Sequence, residues 1–313
     1  MRRQLLLSML ASITLLTAGG SVLSQTKTVA ERLGYPADTK LVIVHADDLG
    51  MSHSINEATI KAFSSGLVNS GSIMMPCSWV PEIAAYARTN PQADLGLHLT
   101  LTSEWQKYRW RPLLAGGAVT SLLDNDGYLY LTERDAASHA NVTEAEKEIR
   151  AQIERATKLG IRPTHLDSHM GTLYQTKELF EMLVRVAREN KLPIRVAKDM
   201  SGRMPFLSQI LKPEDILIDN IITIEPSVTP DGWANFYIEE LKKLTPGVAE
   251  MVIHLAYDDA EMKAVTFEHP NWGAAWRQRD FDFFTSDAFR KVLEENHIKL
   301  ITYRDLQKLQ YGG

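Results

Sequence analysis

Short apolar runs alternate with amphipathic helical segments along most of this 313-residue chain. Runs such as residues 41–44 and Leu95–Leu99 are almost wholly apolar, as expected for strands that are buried on both faces of a sheet. Between such runs, segments such as Lys177–Glu189 repeat apolar residues at helical spacing. Strands that alternate with helices favour parallel βα units, so the pattern predicts an α/β fold.

The number of strand signals narrows the architecture further. Eight runs are found, at residues 41–44, 72–75, 95–99, 163–166, 194–197, 216–219, 251–254 and 299–302. No domain linker and no repeat of fixed period interrupts them. A single (β/α) barrel of seven or eight parallel strands, irregular in part, is therefore predicted, with a doubly wound open sheet as the alternative.

The amino terminus predicts export. Residues 1–24 begin with two arginines, continue with a short apolar run and end in small residues, which is the pattern of a cleaved signal peptide. Residues 25–313 then form one catalytic domain in the periplasm or outside the cell, with no stable membrane span after cleavage. An uncleaved membrane anchor is the alternative. The sequence does not indicate an oligomeric state.

Composition limits the partners and the kind of metal site. The net charge is −5, which argues against nucleic acid as the main partner. A single cysteine excludes a thiolate zinc cluster and an intrachain disulfide, whereas nine histidines leave nitrogen and oxygen ligands available for a metal.

Ionisable residues follow or occupy four of the predicted strands. Barrel and open-sheet enzymes place their chemistry at the carboxyl ends of the strands, so these side chains should meet at one mouth. Taken singly, each has an ordinary structural alternative, such as a helix entry or a hydrogen-bonded core histidine. The residues concerned are His45, Asp47, Asp48, His98, His165, Asp167, His169 and His254.

The combination predicts a catalytic metal site. Asp48, His98 and His169 would form a set of two histidines and one carboxylate, which leaves positions open for water and substrate. Asp47 would then accept a proton from the attacking water, and His254 could protonate the leaving group. Magnesium and zinc are the first candidates for the single divalent ion, with nickel, cobalt and manganese also compatible. His45 and His165 lie earlier in their segments and are expected to support the site.

Several motifs together resemble the YdjC or ChbG-like carbohydrate deacetylase family. They run from about residue 40 to residue 305 and comprise Ala-Asp-Asp-Leu-Gly at 46–50, Gly-Ser-Ile-Met at 71–74, Gly-Leu-His-Leu-Thr-Leu at 96–101 and Thr-His-Leu-Asp-Ser-His at 164–169. The resemblance implies a distorted TIM-like barrel and metal-dependent removal of acetyl groups from N-acetylated amino sugars. It implies Asp47 as the base and Asp48, His98 and His169 as ligands. His254 is followed by Leu-Ala here, where family members often show Pro-Gly.

An aromatic-rich insertion at about residues 100–140 is consistent with a sugar substrate, because aromatic rings can stack on pyranose faces. Trp105, Tyr108, Trp110 and Trp233 are the predicted contacts. Trp272 and Trp276 are further candidates, and packing roles are the alternative for all of these residues. Another metal-dependent hydrolase, such as a phosphoesterase, and a carbohydrate-binding protein without catalysis are the competing functions.

Overall fold

Residues 27–312 are described by a computed structural model, with the backbone alone at residues 116, 201 and 203. In this part of the chain seven parallel strands form one curled sheet in the order β4-β3-β2-β1-β6-β5, and β7 pairs with the start of β1. The strands are β1 (Lys40–Leu49), β2 (Ser70–Ile73), β3 (Leu95–Leu99), β4 (Leu166–Ser168), β5 (Asn220–Ile222), β6 (Gly247–Ile253) and β7 (Lys299–Leu300).

Single bridges connect the two ends of this sheet. Leu166 in β4 bridges to Ile194, and Ala197 bridges to Ile218, two residues before β5. The predicted strands at 194–197 and 216–219 therefore contribute isolated bridges rather than long ladders. The predicted distorted (β/α) barrel is confirmed as a parallel, curled α/β sheet. Its ladders are continuous from β4 to β5 through β1, apart from a register shift between β1 and β2, and only single bridges close it.

Helices connect the strands and cover the sheet. They are α1 (Val29–Arg32), α2 (His53–Ser64), α3 (Val80–Thr89), α4 (Glu133–His139), α5 (Val142–Lys158), α6 (Lys177–Glu189), α7 (Met200–Arg203), α8 (Leu207–Ile210), α9 (Trp233–Lys242), α10 (Ala260–Val265), α11 (Ala274–Phe284), α12 (Asp287–Glu295) and α13 (Tyr303–Tyr311). Short 3-10 turns follow β4 and occur within the insertion after β3.

Local sequence explains where the best-defined helices begin. The Asn141 side chain accepts hydrogen bonds from the backbone N–H groups of Thr143 and Glu144, so Asn141 caps α5. Thr176 caps α6 in the same way by accepting from the N–H of Leu179. The helices α5 and α6 bury their apolar faces in the hydrophobic cluster that also contains β3.

The side chains of strand β1 point alternately to an apolar face and to a polar face of the sheet. Val42, Val44 and Ala46 pack in the hydrophobic cluster that includes residues of α9, α11 and α12. His45 and Asp47 alternate with them, so they point to the opposite face and meet polar side chains of other strands. This alternation brings ionisable groups into the interior of the barrel.

The predicted signal peptide at residues 1–24 lies outside the described residues. Within residues 27–312, no helix combines the length and the apolar character that crossing a membrane would require. The insertion at 100–140 is largely irregular, as predicted, but ends in the short helix α4.

Candidate metal centre

Asp48, His98 and His169 converge at the carboxyl end of the sheet. Asp48 lies near the end of β1, His98 lies in β3, and His169 directly follows β4. His98 Nε2 is 3.5 Å and His169 Nδ1 is 3.6 Å from the same atom, Asp48 Oδ1. The three side chains are buried, and their candidate ligand atoms all lie within 4.8 Å of one another. The structure thus brings together the three ligands that the sequence predicts.

Carboxylates behind the two imidazoles fix their orientation. His98 Nδ1 lies 2.6 Å from Asp167 Oδ1, and His169 Nε2 lies 2.8 Å from Glu104 Oε2. If each of these nitrogens carries the hydrogen and donates it, the other nitrogen presents its lone pair towards Asp48. Metal-ligating histidines are commonly held by a carboxylate in this manner, which sets the tautomer and the ring orientation.

Asp48 itself is held in an unusual conformation. Its φ angle is +73°, in the left-handed region that non-glycine residues rarely adopt, and such strain tends to persist at functional sites. Asp48 Oδ2 accepts a hydrogen bond of 2.7 Å from the Arg277 guanidinium. Burial alone would raise the pKa of Asp48, but the charge of Arg277, followed by nearby histidines, lowers it to about 2. Asp48 is therefore a carboxylate at neutral pH.

The atoms of this cluster suit a divalent cation. Asp48 Oδ1 is buried and has no hydrogen-bond partner among residues 27–312, although an unsatisfied buried carboxylate oxygen is costly. Burial disfavours a proton on His98, yet the charges of Asp47 and Asp167 outweigh burial and raise its pKa to about 9. The negative charges that favour a proton on the His98 ring also favour a metal cation beside it. These residues could hold a metal ion.

Asp47, the predicted base, lies beside this cluster with its charge supported by Arg195. The guanidinium donates to Asp47 Oδ1 at 2.8 Å and to Oδ2 at 3.2 Å. Burial opposes ionisation of Asp47, but the charges of Arg195 and His98 hold its pKa well below the ordinary range. His98 Nε2 is 3.8 Å from Asp47 Oδ2, so the base and a ligand lie side by side.

Arg195 also organises the polar interior behind the site. Its guanidinium lies 2.9 Å from Asp167 Oδ2 and donates to Glu250 Oε1 at 2.9 Å. Tyr303 donates its hydroxyl hydrogen to the other oxygen of Glu250 at 2.6 Å. The buried carboxylates of Asp47, Asp167 and Glu250 therefore share one guanidinium.

His45 and His165, which the sequence predicts to support the site, are buried, and with Asp167 they form another group of potential metal ligands. His45 Nδ1 lies 2.9 Å from Ser70 Oγ. His45 Nε2 lies 3.1 Å from Ser72 Oγ and 3.0 Å from Asp47 Oδ1. His165 stacks on Tyr303 with ring centroids 3.9 Å apart. A Cβ on Gly96 would lie 2.3 Å from the His165 ring, which explains the glycine at that point of β3.

His254, the predicted acid, lines the same cavity as the cluster. Its backbone N–H donates to Asp280 Oδ2 at 3.0 Å. Burial, the strongest influence, lowers the pKa of the imidazole to about 4, although the Asp48 charge acts in the opposite direction. The resting side chain is therefore neutral at physiological pH.

A cavity of about 800 Å³ opens above the cluster. Its walls combine the ionisable groups with apolar side chains, including Trp105, Met170, Met200 and Trp272. Of the predicted aromatic contacts, Trp105 lies in this wall, where its Nε1 donates to the sulfur of Met51. The mixed lining suits a ligand that has both polar groups and apolar faces.

The other three predicted aromatic contacts lie outside the lining of this cavity. Tyr108 donates to the Met51 carbonyl, and the buried Trp110 donates its Nε1 hydrogen to the Thr102 carbonyl. Trp233, the first residue of α9, is buried against α11, where it donates to Asp280 Oδ1 and packs edge-on against Trp276. Their indole and phenol groups are used for packing and internal hydrogen bonds, while Trp272, a further candidate from the sequence, lies in the wall.

Known proteins resemble this chain over most of its length. A family model described as YdjC-like protein matches residues 41–295. A carbohydrate deacetylase of Thermus thermophilus is 32% identical over 275 residues, covering 85% of this chain and 94% of the relative. A chitooligosaccharide deacetylase of Yersinia enterocolitica is 26% identical over 281 residues, covering 85% and 99%. A crystal structure from Enterococcus faecalis, described as a candidate cellobiose-phosphate cleavage protein, matches with a TM-score of 0.73 and 26% identity, covering 86% and 99%.

Proposed function

The chain belongs to the YdjC-like family, and from this premise we propose that it is a metal-dependent deacetylase that hydrolyses the acetamido group of an N-acetylated amino sugar or oligosaccharide. The observation that carries the proposal is the buried, unpartnered Asp48 Oδ1, which faces two oriented imidazole nitrogens beside a large cavity.

Asp48, His98 and His169 would hold the ion. Their nitrogen and oxygen donors are compatible with magnesium or zinc, and with nickel, cobalt or manganese. A divalent ion in such a site supplies Lewis-acid polarisation of a carbonyl and lowers the pKa of water towards about 7. Glu104 and Asp167 keep the two imidazoles oriented.

Asp47 would act as the general base. It is ionised at neutral pH because Arg195 supports its charge, and it lies next to His98. It would accept a proton from the water that attacks the acetyl carbon. Arg195 holds the carboxylate through two hydrogen bonds, so that the base is oriented before the substrate arrives.

His254 would carry the proton to the departing amine. Because the pKa of this imidazole is about 4, the resting ring is neutral, and the proton that Asp47 takes from the water would pass to His254 in each catalytic cycle. The carbon–nitrogen bond then breaks, which releases acetate and the free amino sugar. The wall that contains Trp105 and Trp272 would contact the sugar ring.

Arg195 argues for one ion rather than two. Two further groups of potential ligands are present, one of Asp47, His98 and Asp167 and one of His45, His165 and Asp167. The guanidinium of Arg195 contacts the carboxylates of Asp47 and Asp167 at 2.8 and 2.9 Å, so a fixed cation already neutralises the carboxylates of both groups. A two-metal phosphoesterase would need these carboxylates for a second ion, and the one-metal deacetylase is therefore favoured.

We further propose that residues 1–24 direct export, so that the enzyme acts on sugars in the periplasm or outside the cell.

Two substitutions test the proposal by separating metal binding from catalysis. Asp48→Ala should lose both the ion and the release of acetate from N-acetylglucosamine oligomers. Asp47→Asn should keep the ion and lose activity by about 10²- to 10⁴-fold, the usual contribution of a general base. The exposed Asp126→Asn serves as the matched control and should behave like the wild type. Metal content by mass spectrometry and an acetate assay, with and without chelator, give the two readouts.

Wild-type turnover in metal-loaded Asp47→Asn would refute the assignment of the base. The proposed deacetylase activity would be refuted if the protein binds one ion per chain but releases acetate from none of the N-acetylated sugars tested.

A further inference from the structure

Arg277 is a charged side chain that is almost completely buried at the edge of the metal centre. It lies on α11, is 1% exposed and is the largest of the fully buried side chains in the described part of the chain. Burying a guanidinium is expensive unless its donors are satisfied. Nη1 of Arg277 is nevertheless buried without a hydrogen-bond partner among residues 27–312. Packing alone does not account for an arginine at this position.

The two donors of Arg277 that are satisfied point to different parts of the site. Nη2 donates to Oδ2 of the candidate ligand Asp48 at 2.7 Å. Nε donates to the backbone carbonyl of Trp272 at 2.6 Å. One guanidinium therefore contacts both the metal cluster and the segment that lies at the mouth of the cavity.

That segment, residues 266–273, is called the mouth loop here and connects α10 to α11. His269, Asn271 and Trp272 of the loop line the cavity. Trp272 is 36% exposed, has a φ of +54° and stacks on Trp276 with ring centroids 5.1 Å apart. The loop is compact, because a Cβ on Gly273 would lie 2.1 Å from the His269 carbonyl oxygen.

We propose that Arg277 is a positioning residue that joins the Asp48 carboxylate to the mouth loop, so that metal binding at Asp48 and the placement of the Trp272 ring depend on each other. The inference rests on the proposed function, because it assigns Trp272 to the sugar and Asp48 to the ion.

The geometry of the contacts supports this coupling. Oδ2 of Asp48 accepts the hydrogen bond from Arg277, and Oδ1 faces the histidines. A shift of the carboxylate towards an ion would therefore move the acceptor of that hydrogen bond and displace the guanidinium with it. Both residues that Arg277 contacts have a positive φ, a conformation that persists only where the surroundings enforce it. A guanidinium offers several donors in a rigid plane, whereas a lysine ammonium is a point charge on a flexible stem.

Tryptophan fluorescence during metal titration gives a readout that does not depend on activity. The chain has six tryptophans, so the signal of Trp272 is isolated by comparing the wild type with Trp272→Phe. We expect the ion to change the fluorescence of the wild type and to have little effect on the fluorescence of Trp272→Phe. Equal changes in the two proteins would overturn the proposal without any substitution of Arg277.

Arg277→Lys then tests the link itself. It keeps the positive charge beside Asp48 and should lose the simultaneous contact with the Trp272 carbonyl. We expect metal affinity by calorimetry to stay within about tenfold of the wild type, while the Trp272-dependent fluorescence change disappears. We also expect KM for an N-acetylglucosamine oligomer to rise about tenfold while kcat stays within about threefold, as for a loss of binding alone.

Arg279→Lys is the matched control, since Arg279 lies on the same helix, packs over the Trp233 ring and does not line the cavity. It should leave the fluorescence change and KM unaltered. A fluorescence change and KM in Arg277→Lys equal to those of the wild type would overturn the proposal, as would equal effects of the two substitutions. Failure to bind metal or release acetate in the wild type would instead contradict the proposed function.

Discussion

Replacing Glu104 by glutamine should weaken metal binding without disturbing the fold. Glu104 Oε2 lies 2.8 Å from His169 Nε2, and no other hydrogen bond of the Glu104 side chain is found among the described residues. Glutamine has nearly the same shape and can still accept the imidazole hydrogen. The substitution therefore removes the negative charge behind a candidate ligand and leaves no buried charge without a partner.

The structure allows the effect to be estimated. The side chains are 5% exposed for His169 and 16% exposed for Glu104, so solvent screens their interaction only partly. A hydrogen bond to a charged group contributes about 1.5–3 kcal/mol and a neutral one about 0.5–1.5 kcal/mol. The difference of roughly 1–1.5 kcal/mol corresponds to a loss of about five- to tenfold in metal affinity.

Calorimetric titration of the metal-free protein with zinc or magnesium would measure this loss. Glu133→Gln is the matched control, because Glu133 lines the same cavity and, among the described residues, forms no hydrogen bond or ion pair with Asp48, His98 or His169. The melting temperatures of the two metal-free variants should agree with that of the wild type. Affinity unchanged in Glu104→Gln, or lowered equally in both variants, would refute the idea that Glu104 orients His169.

Two further predictions concern packing and pH. Trp233→Phe should lower the free energy of unfolding by about 1–3 kcal/mol, because the hydrogen bond to Asp280 and the packing on Trp276 are lost. KM for the sugar should stay within twofold of the wild type. A large rise in KM in a stable protein would instead place Trp233 in the sugar site. Glu146 joins α5 to α6 through Arg185 and Arg150, and these bonds, Arg185 first, lower its pKa to about 2. A lowered pKa stabilises the fold above the unfolded pKa of about 4.3, and this contribution is lost as the pH falls towards 2. The stability difference between wild type and Glu146→Gln should therefore be at most about 1 kcal/mol at pH 7 and shrink below pH 4.5 in urea unfolding; a difference independent of pH would contradict the assignment.

A strand with a single polar residue in an apolar run could be bounded from the sequence, whereas a strand made largely of polar interior residues could not. The prediction for β3 matches the structure residue for residue, as does the prediction for α6. The fourth strand was expected at 163–166, but β4 covers Leu166–Ser168. It includes Asp167, which is paired with His98, Ser72 and Arg195 in the interior. The sequence pattern therefore places this strand too early in the chain, because it excludes polar residues that are buried and paired with side chains from other parts of the fold.

The bridges at Ile194 and Ala197 have a related cause. Residues 194–197 are apolar except for Arg195, and their pattern alone predicts an ordinary strand. In the fold, the backbone of Arg195 pairs with Leu166 on one side and that of Val196 with Ile218 on the other, while the Arg195 side chain meets carboxylates from three strands. The ladder is short because this segment lies where the curled sheet closes.

The candidate ligands were predictable because each belongs to a short motif at a strand end, whereas their partners come from distant parts of the chain. Glu104 is 65 residues from His169, Arg195 is 148 from Asp47, and Arg277 is 229 from Asp48. Arg195 alone has a local signal, since a charge within a predicted buried strand requires an opposite charge inside the fold. Asp47 and Asp48 were already predicted to lie at the mouth of the same barrel. An arginine in an apolar strand of such a barrel therefore predicts a carboxylate partner inside the fold. For Glu104 and Arg277, a loop and a helix of ordinary composition give no comparable indication.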